Sequence, residues 1–281
     1  MAKILVALEE DSTFSRDLVN VAGELFSDLK EQLFVALLIK DLAYTSKISN
    51  YVGEAAMADC LPEVPGLLTE EDKKKTEVIS DFEKAAKLSG VHYQIYNDFK
   101  LTAYELVKQS TYADLMILSY HIFYDHVSGK PDTSLLYMIL KNSRCPVMII
   151  PNGIDHVKNI IFTYDGKESS VFAIRAFNSL FANFLRDRVV TILTVSPNKE
   201  EEIKNEKFLL EFVKQHYTNV GLQLLTGTST SKEILNFAAN VEDPLVIMGA
   251  YGRSIISNLI IPSVAKRIIQ QRKTPLFIAH R

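Results

Sequence analysis

The chain repeats itself, and that constrains its folding more than any other feature. Lys3-Ile-Leu-Val-Ala-Leu-Glu-Glu is answered by Lys158-Asn-Ile-Ile-Phe-Thr-Tyr-Asp, each a basic residue, an apolar run and an acid. Ala113-Asp-Leu-Met-Ile-Leu-Ser is matched by Asp243-Pro-Leu-Val-Ile-Met-Gly, and Arg144-Cys-Pro-Val-Met-Ile-Ile by Lys273-Thr-Pro-Leu-Phe-Ile-Ala. Three anchors in one order point to a tandem duplication. The 281 residues agree, because domains commonly take roughly 100–200 residues each. The expected domains are 1–151 and 152–281, joined by the short turn-rich connector Pro151-Asn-Gly-Ile-Asp-His-Val.

Within each repeat, short apolar runs alternate with longer stretches of helical period. That is the pattern of βαβ units around a parallel sheet buried on both faces. Strands are expected near 2–8, 33–39, 91–96, 114–118 and 146–150, and again near 158–164, 188–195, 221–226, 244–248 and 275–279. Leu18, Ala22 and Phe26, and Phe172, Ala176, Leu180 and Phe184, recur at four-residue steps and read as sheet-facing helix stripes. Residues 41–69 of the first repeat form an insertion with Gly53, Pro62, Pro65 and Gly66, read as a loop with a short helix at 51–60. It suits a lid, a contact surface or a tolerated insertion equally.

Composition narrows the partners. A formal net charge of −3 with 23% charged residues offers no basic stripe for nucleic acid or an anionic membrane. No apolar run approaches the roughly 20 residues of a membrane span, and the opening residues lack a secretory pattern. A cytoplasmic location is therefore expected. Cys60 and Cys145 are the two cysteines; they form no metal motif and read as free thiols, Cys145 as a small core residue. No metal site is expected.

Ligands of open parallel sheets settle at the carboxyl ends of the strands, where strand order reverses. In the second repeat those ends are Tyr164-Asp165-Gly166, Thr194-Val195-Ser196, Thr226-Gly227-Thr228, and a loop running from Gly249 through Gly252, Arg253 and Ser254 to Pro262-Ser263. Gly249 and Gly252 would let the backbone approach an anion and take φ > 0. A helix beginning near Ser263 would add unpaired N–H groups, and Arg253 and Ser254 would add side-chain donors. An ordinary strand-to-helix connection, with glycines relieving crowding and Ser263 capping a helix, fits the same residues. The matching stretch of the first repeat, Ser119-Tyr120-His121 through His126 to Thr133-Ser134, has neither loop glycine in place and reads as a degenerate site. Its two histidines read as surface residues, and Thr133-Ser134 as a helix cap.

Gly249-x2-Gly252-x9-Pro262-Ser263, followed by Val264-Ala265-Lys266-Arg267-Ile268, resembles the signature of the universal stress protein family, Gly-x2-Gly-x9-Gly-Ser/Thr. The Asp165-Gly166 and Gly227 turns match as well, and the resemblance covers the chain twice over. It implies an α/β fold of two tandem doubly wound five-stranded parallel sheets, order 3-2-1-4-5, flanked by helices. It also implies a non-catalytic regulatory module that binds ATP or another adenine nucleotide. Carried over, Asp165 and Val195 would lie near adenine or ribose, while Gly249, Gly252, Arg253, Ser263 and Val264 would hold ribose and phosphates. Pro262 stands where the third glycine is expected and has no N–H to offer a phosphate, although it suits a first helical turn. The resemblance further implies an intrachain pseudo-dimer, its last strands 146–150 and 275–279 packed face to face about a pseudo-twofold axis, with further self-association open. A nucleotide-independent scaffold is the alternative. A slow ATPase ranks last, since the chain has no Walker loop, Gly-x-Ser-x-Gly elbow or His-x-x-x-His.

Overall fold

The computed structural model describes residues 2–8, 18, 32–38, 70–96, 103–123, 133–151, 156–181, 185–198, 202–250 and 274–280. The insertion at 41–69, the helix positions Ala22, Phe26 and Phe184, and Cys60 and His126 lie outside them. The described residues fall into two compact units, the first reaching Cys145 and the second starting at Pro146.

In the first unit, β1 (Lys3–Leu8), β2 (Leu33–Leu38), β3 (His92–Tyr96) and β4 (Leu115–Ser119) pair in parallel in the order β3-β2-β1-β4. β1 and β4 are uninterrupted apolar runs because both their faces are covered, and Ile4 to Leu8 and Leu115 to Leu118 are buried throughout. β3, at the edge, instead alternates exposed and half-buried residues. Helix α1 (Glu70–Leu88) precedes it and buries Val78, Phe82 and Ala86 at four-residue steps. Phe82 meets Tyr93 of β3 edge to face, ring centroids 5.8 Å apart. The helix stops at Gly90, whose φ of +68° allows Gly90 N–H to bond the Lys87 carbonyl and Val91 N–H that of Ala86. This is the paired bonding of a Schellman cap. Helices α2 (Ala103–Gln109) and α3 (Thr133–Asn142) complete the described part of this unit. Thr133 and Ser134 open α3.

In the second unit, β6 (Asn159–Thr163), β7 (Val189–Ser196), β8 (Asn219–Thr226), β9 (Pro244–Ala250) and β10 (Leu276–His280) are parallel, in the order β10-β9-β6-β7-β8. This is the expected 3-2-1-4-5 order. β5 (Val147–Ile150), the last strand of the first repeat, pairs antiparallel with β10, Met148 opposite Phe277. The two last strands therefore meet edge to edge in a ladder. The face-to-face packing expected from the sequence is corrected here: unsatisfied strand edges are relieved most directly by pairing with one another.

Helices α4 (Glu168–Phe181), α5 (Glu206–Lys214) and α6 (Thr230–Ala239) flank these strands. The buried stripe of α4 is Ser170, Ala173, Ile174, Phe177, Asn178 and Phe181. Phe172, Ala176 and Leu180, expected to face the sheet, are only half-buried. Successive four-residue steps rotate about 40° around a 3.6-residue helix, so a run of them drifts off one face. The true stripe mixes steps of three and four. Phe177 centres an aromatic cluster, 5.9 Å from Phe162 and 5.2 Å from Phe277 by ring centroids. Beside it the buried Tyr217 hydroxyl donates to Asn178 Oδ1 at 2.7 Å, and burial holds that phenol well above its ordinary range.

Candidate functional site

β6 is the first strand of its repeat, yet it lies inside the sheet between β7 and β9. The chain leaves it first to one side and later to the other, so the carboxyl ends of β6 and β9 flank the point where strand order reverses. A crevice opens at such a point because the connections on its two sides run to opposite faces. A cavity of about 160 Å³ lies there, lined by Thr163 at the end of β6, Tyr164 and Asp165 just after it, Leu193 and Val195 of β7, Met248 and Gly249 of β9, and residues at the starts of α4 and α6. That volume suits one ring system, being below the roughly 300–1,000 Å³ of sites that enclose a whole drug-sized ligand.

Asp165 begins a tight turn. Its Oδ1 accepts the Lys167 backbone N–H at 3.1 Å, and Gly166 follows at φ +78°, a left-handed conformation that glycine takes without strain. Asp165 Oδ2 is buried and has no hydrogen bond, although Lys167 Nζ lies 3.4 Å away. The Tyr164 hydroxyl turns from the cavity to donate to the Lys204 carbonyl at 2.8 Å. Burial, reinforced by the nearby Asp165 charge, keeps this phenol above its ordinary range. Thr163 donates to the Ile247 carbonyl at 3.1 Å and Ser170 to the Lys167 carbonyl at 2.7 Å.

Gly249 needs a different explanation from the one its sequence position suggests. Its φ is not positive; it sits in extended backbone at the end of β9. A Cβ there would meet the Ser169 carbonyl and come to 2.8 Å from the Ser170 nitrogen. The glycine lets the first turn of α4 press directly on β9.

Asp165, Val195 and Gly249 thus share one cavity. Gly252, Arg253, Pro262, Ser263 and Val264 lie outside the described residues. Sequence reasoning missed Lys167, Ser170, Thr230 and Ile234 as lining residues, because it looked at strand ends and not at the helix turns packed over them. The usable signal for Lys167 and Ser170 was their nearness to Asp165 in the chain.

Among the described residues the lining includes no histidine or cysteine, and the Thr163 and Ser170 hydroxyls donate to main-chain carbonyls. Hydroxyl, carboxylate and ammonium groups share this lining with the apolar side chains of Leu193, Val195, Ile234 and Met248. Among the described residues no group of three or more His, Cys, Asp and Glu could hold a metal ion. No helix among them is long and apolar enough to cross a membrane.

The equivalent strand of the first unit is β4. β4 runs from Ser119, the counterpart of Gly249, into a 3-10 turn, Tyr120–Phe123, that buries Tyr120, Ile122 and Phe123. His121 is half-buried in this turn, and its backbone N–H donates to Ser119 Oγ at 2.9 Å.

Fold and site together define the class: a doubly wound α/β protein with a small cavity at the strand switch point of its second unit. Solved structures identify the fold. A universal stress protein from Archaeoglobus fulgidus superposes with a TM-score of 0.68 at 14% identity, over 100% of this chain and 96% of that one. A putative universal stress protein from Pseudomonas aeruginosa gives 0.58 at 12% identity, over 100% and 93%. A protein of unknown function from the same species gives 0.58 at 12%, over 100% and 92%. The chain has the universal stress protein fold across its whole length. No family model and no curated protein matches it in sequence.

Proposed function

We propose that the second repeat, residues 152–281, is a non-catalytic regulatory domain that binds an adenine nucleotide, and that the first, residues 1–151, has lost that capacity. The observation carrying this reading is the cavity at the switch point, around which Asp165, Val195 and Gly249 come together. Its size suits the base or the ribose, with Asp165 Oδ2 as the acceptor for a ligand donor. Gly252, Arg253, Ser263 and Val264 follow β9 in sequence and would take the ribose and phosphates. Pro262 removes one backbone donor from that set, so AMP or ADP fits the donors left as well as ATP does. Native mass spectrometry of the full chain with a panel of adenine and guanine nucleotides tests the reading. Retention of adenine nucleotides at millimolar concentration or below is expected, and no retention of any of them would overturn it.

One observation favours a second reading, a nucleotide-independent scaffold. The contact of Gly249 with Ser169 and Ser170 accounts for that glycine with no ligand at all. The same titration decides between the two.

A further inference from the structure

Among the described residues the charged groups lining the cavity are Asp165 and Lys167, and they belong to one turn. The two oxygens of Asp165 are treated differently. Oδ1 is fixed by the Lys167 backbone N–H at 3.1 Å. Oδ2 is buried without a hydrogen bond, while Lys167 Nζ stands 3.4 Å from it on a side chain that is 63% exposed. The ammonium therefore neutralises the carboxylate from the solvent side without satisfying its inner oxygen. A buried acceptor without a donor is costly, and a ligand N–H or O–H placed there recovers that cost. An ion pair that is partly in water and lacks a hydrogen bond is weak and easily released.

We infer that Lys167 is an internal competitor for the ligand at Asp165: it covers the carboxylate when the cavity is empty and must swing out to solvent when a neutral donor takes Oδ2. This rests on the adenine-nucleotide reading of the same cavity and adds the residue that sets its affinity. The turn itself does not depend on the ammonium, because the Oδ1 bond uses Lys167 main chain. Removing the side-chain charge thus leaves Asp165 in place. Competition of this kind also has a salt signature: screening weakens the ion pair, so a neutral ligand binds better as salt rises.

The test is calorimetric titration of the full chain with adenosine, which carries no phosphate to attract Lys167, at low and moderate salt. Wild type, Lys167→Gln and the charge-conserving Lys167→Arg are compared. Lys167→Gln is expected to bind adenosine about two- to fivefold more tightly, the range a partly exposed ion pair supports. Lys167→Arg should stay near wild type. Added salt should strengthen adenosine binding to wild type and leave Lys167→Gln unchanged. Binding by Lys167→Gln that is equal to or weaker than wild type, or an identical salt response, overturns the competitor role and leaves the nucleotide reading standing. Should none of the three proteins bind adenosine or an adenine nucleotide, the reading of the cavity itself falls, and the inference with it.

Discussion

At Gly249 the side chain is absent because the backbone of α4 occupies its space. Filling that space forces the helix off the strand, and overpacking of this kind costs about 1–3 kcal/mol. Gly249→Ala should therefore lower the stability of the second unit by that amount in a denaturant titration without nucleotide; an unchanged midpoint would show that the helix has room to move. Cys145 makes a second residue-scale prediction. It is a free, buried thiol, and burial, with a smaller contribution from the Asp114 charge, pushes it from the ordinary 9.0 up to about 12. The folded state then holds this proton more tightly than the unfolded chain. The resulting stabilisation is complete below pH 9 and is lost as pH rises from there towards 12, amounting to about 4 kcal/mol if the whole shift is realised. Denaturant titrations from about pH 8 to about pH 10.5 should show stability falling more steeply in wild type than in Cys145→Ala. Parallel slopes would mean that the thiol titrates alike in both states.

Among the elements, strands are legible in the sequence and the face of α4 is not, for a physical reason, while Leu18 of the other expected stripe is buried. Buried parallel strands carry apolar residues at every position, so a run such as Leu245 to Met248 identifies itself and a register error changes nothing. A helix must show one face, and the face of α4 is hidden in the sequence because Phe172 and Phe177 are equally apolar. Besides Phe181 on its own helix, the aromatic partners of Phe177 are Phe162 of β6 and Phe277 of β10, which no local period reveals. Truncation separates the two stripes. Phe177→Ala removes the centre of a buried cluster and should cost about 3–5 kcal/mol, whereas Phe172→Ala, half-buried, should cost clearly less. Comparable losses in thermal or denaturant unfolding would restore the stripe expected from the sequence. The candidate site divides similarly. Asp165, Val195 and Gly249 could be read from strand ends, while Thr230 and Ile234 reach the cavity only because α6 begins beside it.

For the molecule as a whole, the described strands of the two units follow a like connectivity, β3-β2-β1-β4 in the first and β10-β9-β6-β7-β8 in the second. After β4 the chain turns through Tyr120–Phe123 and buries Tyr120, Ile122 and Phe123, whereas Met248 and Gly249 of β9 line the cavity. A ligand that binds one folded unit stabilises that unit by mass action, about 2.7 kcal/mol at 100 times its Kd. A single melting temperature is a poor reporter for a chain with two units, since they need not unfold together. Hydrogen exchange resolves them. With AMP or ATP at saturation, amides of β6, β7 and β9 that exchange only on unfolding of the second unit should gain protection of about that size. Amides of β1 and β4 serve as the internal comparison and should gain less. If the proposed nucleotide site is right, Gly252→Val should abolish the gain, because a branched side chain would take space the phosphates need and would oppose a positive φ. Tyr120→Ala should leave the gain intact, even though loss of a buried aromatic lowers the stability of the first unit. Each variant is therefore judged by its own difference with and without nucleotide. A gain that survives Gly252→Val and disappears with Tyr120→Ala would place the site in the first repeat and reverse the assignment.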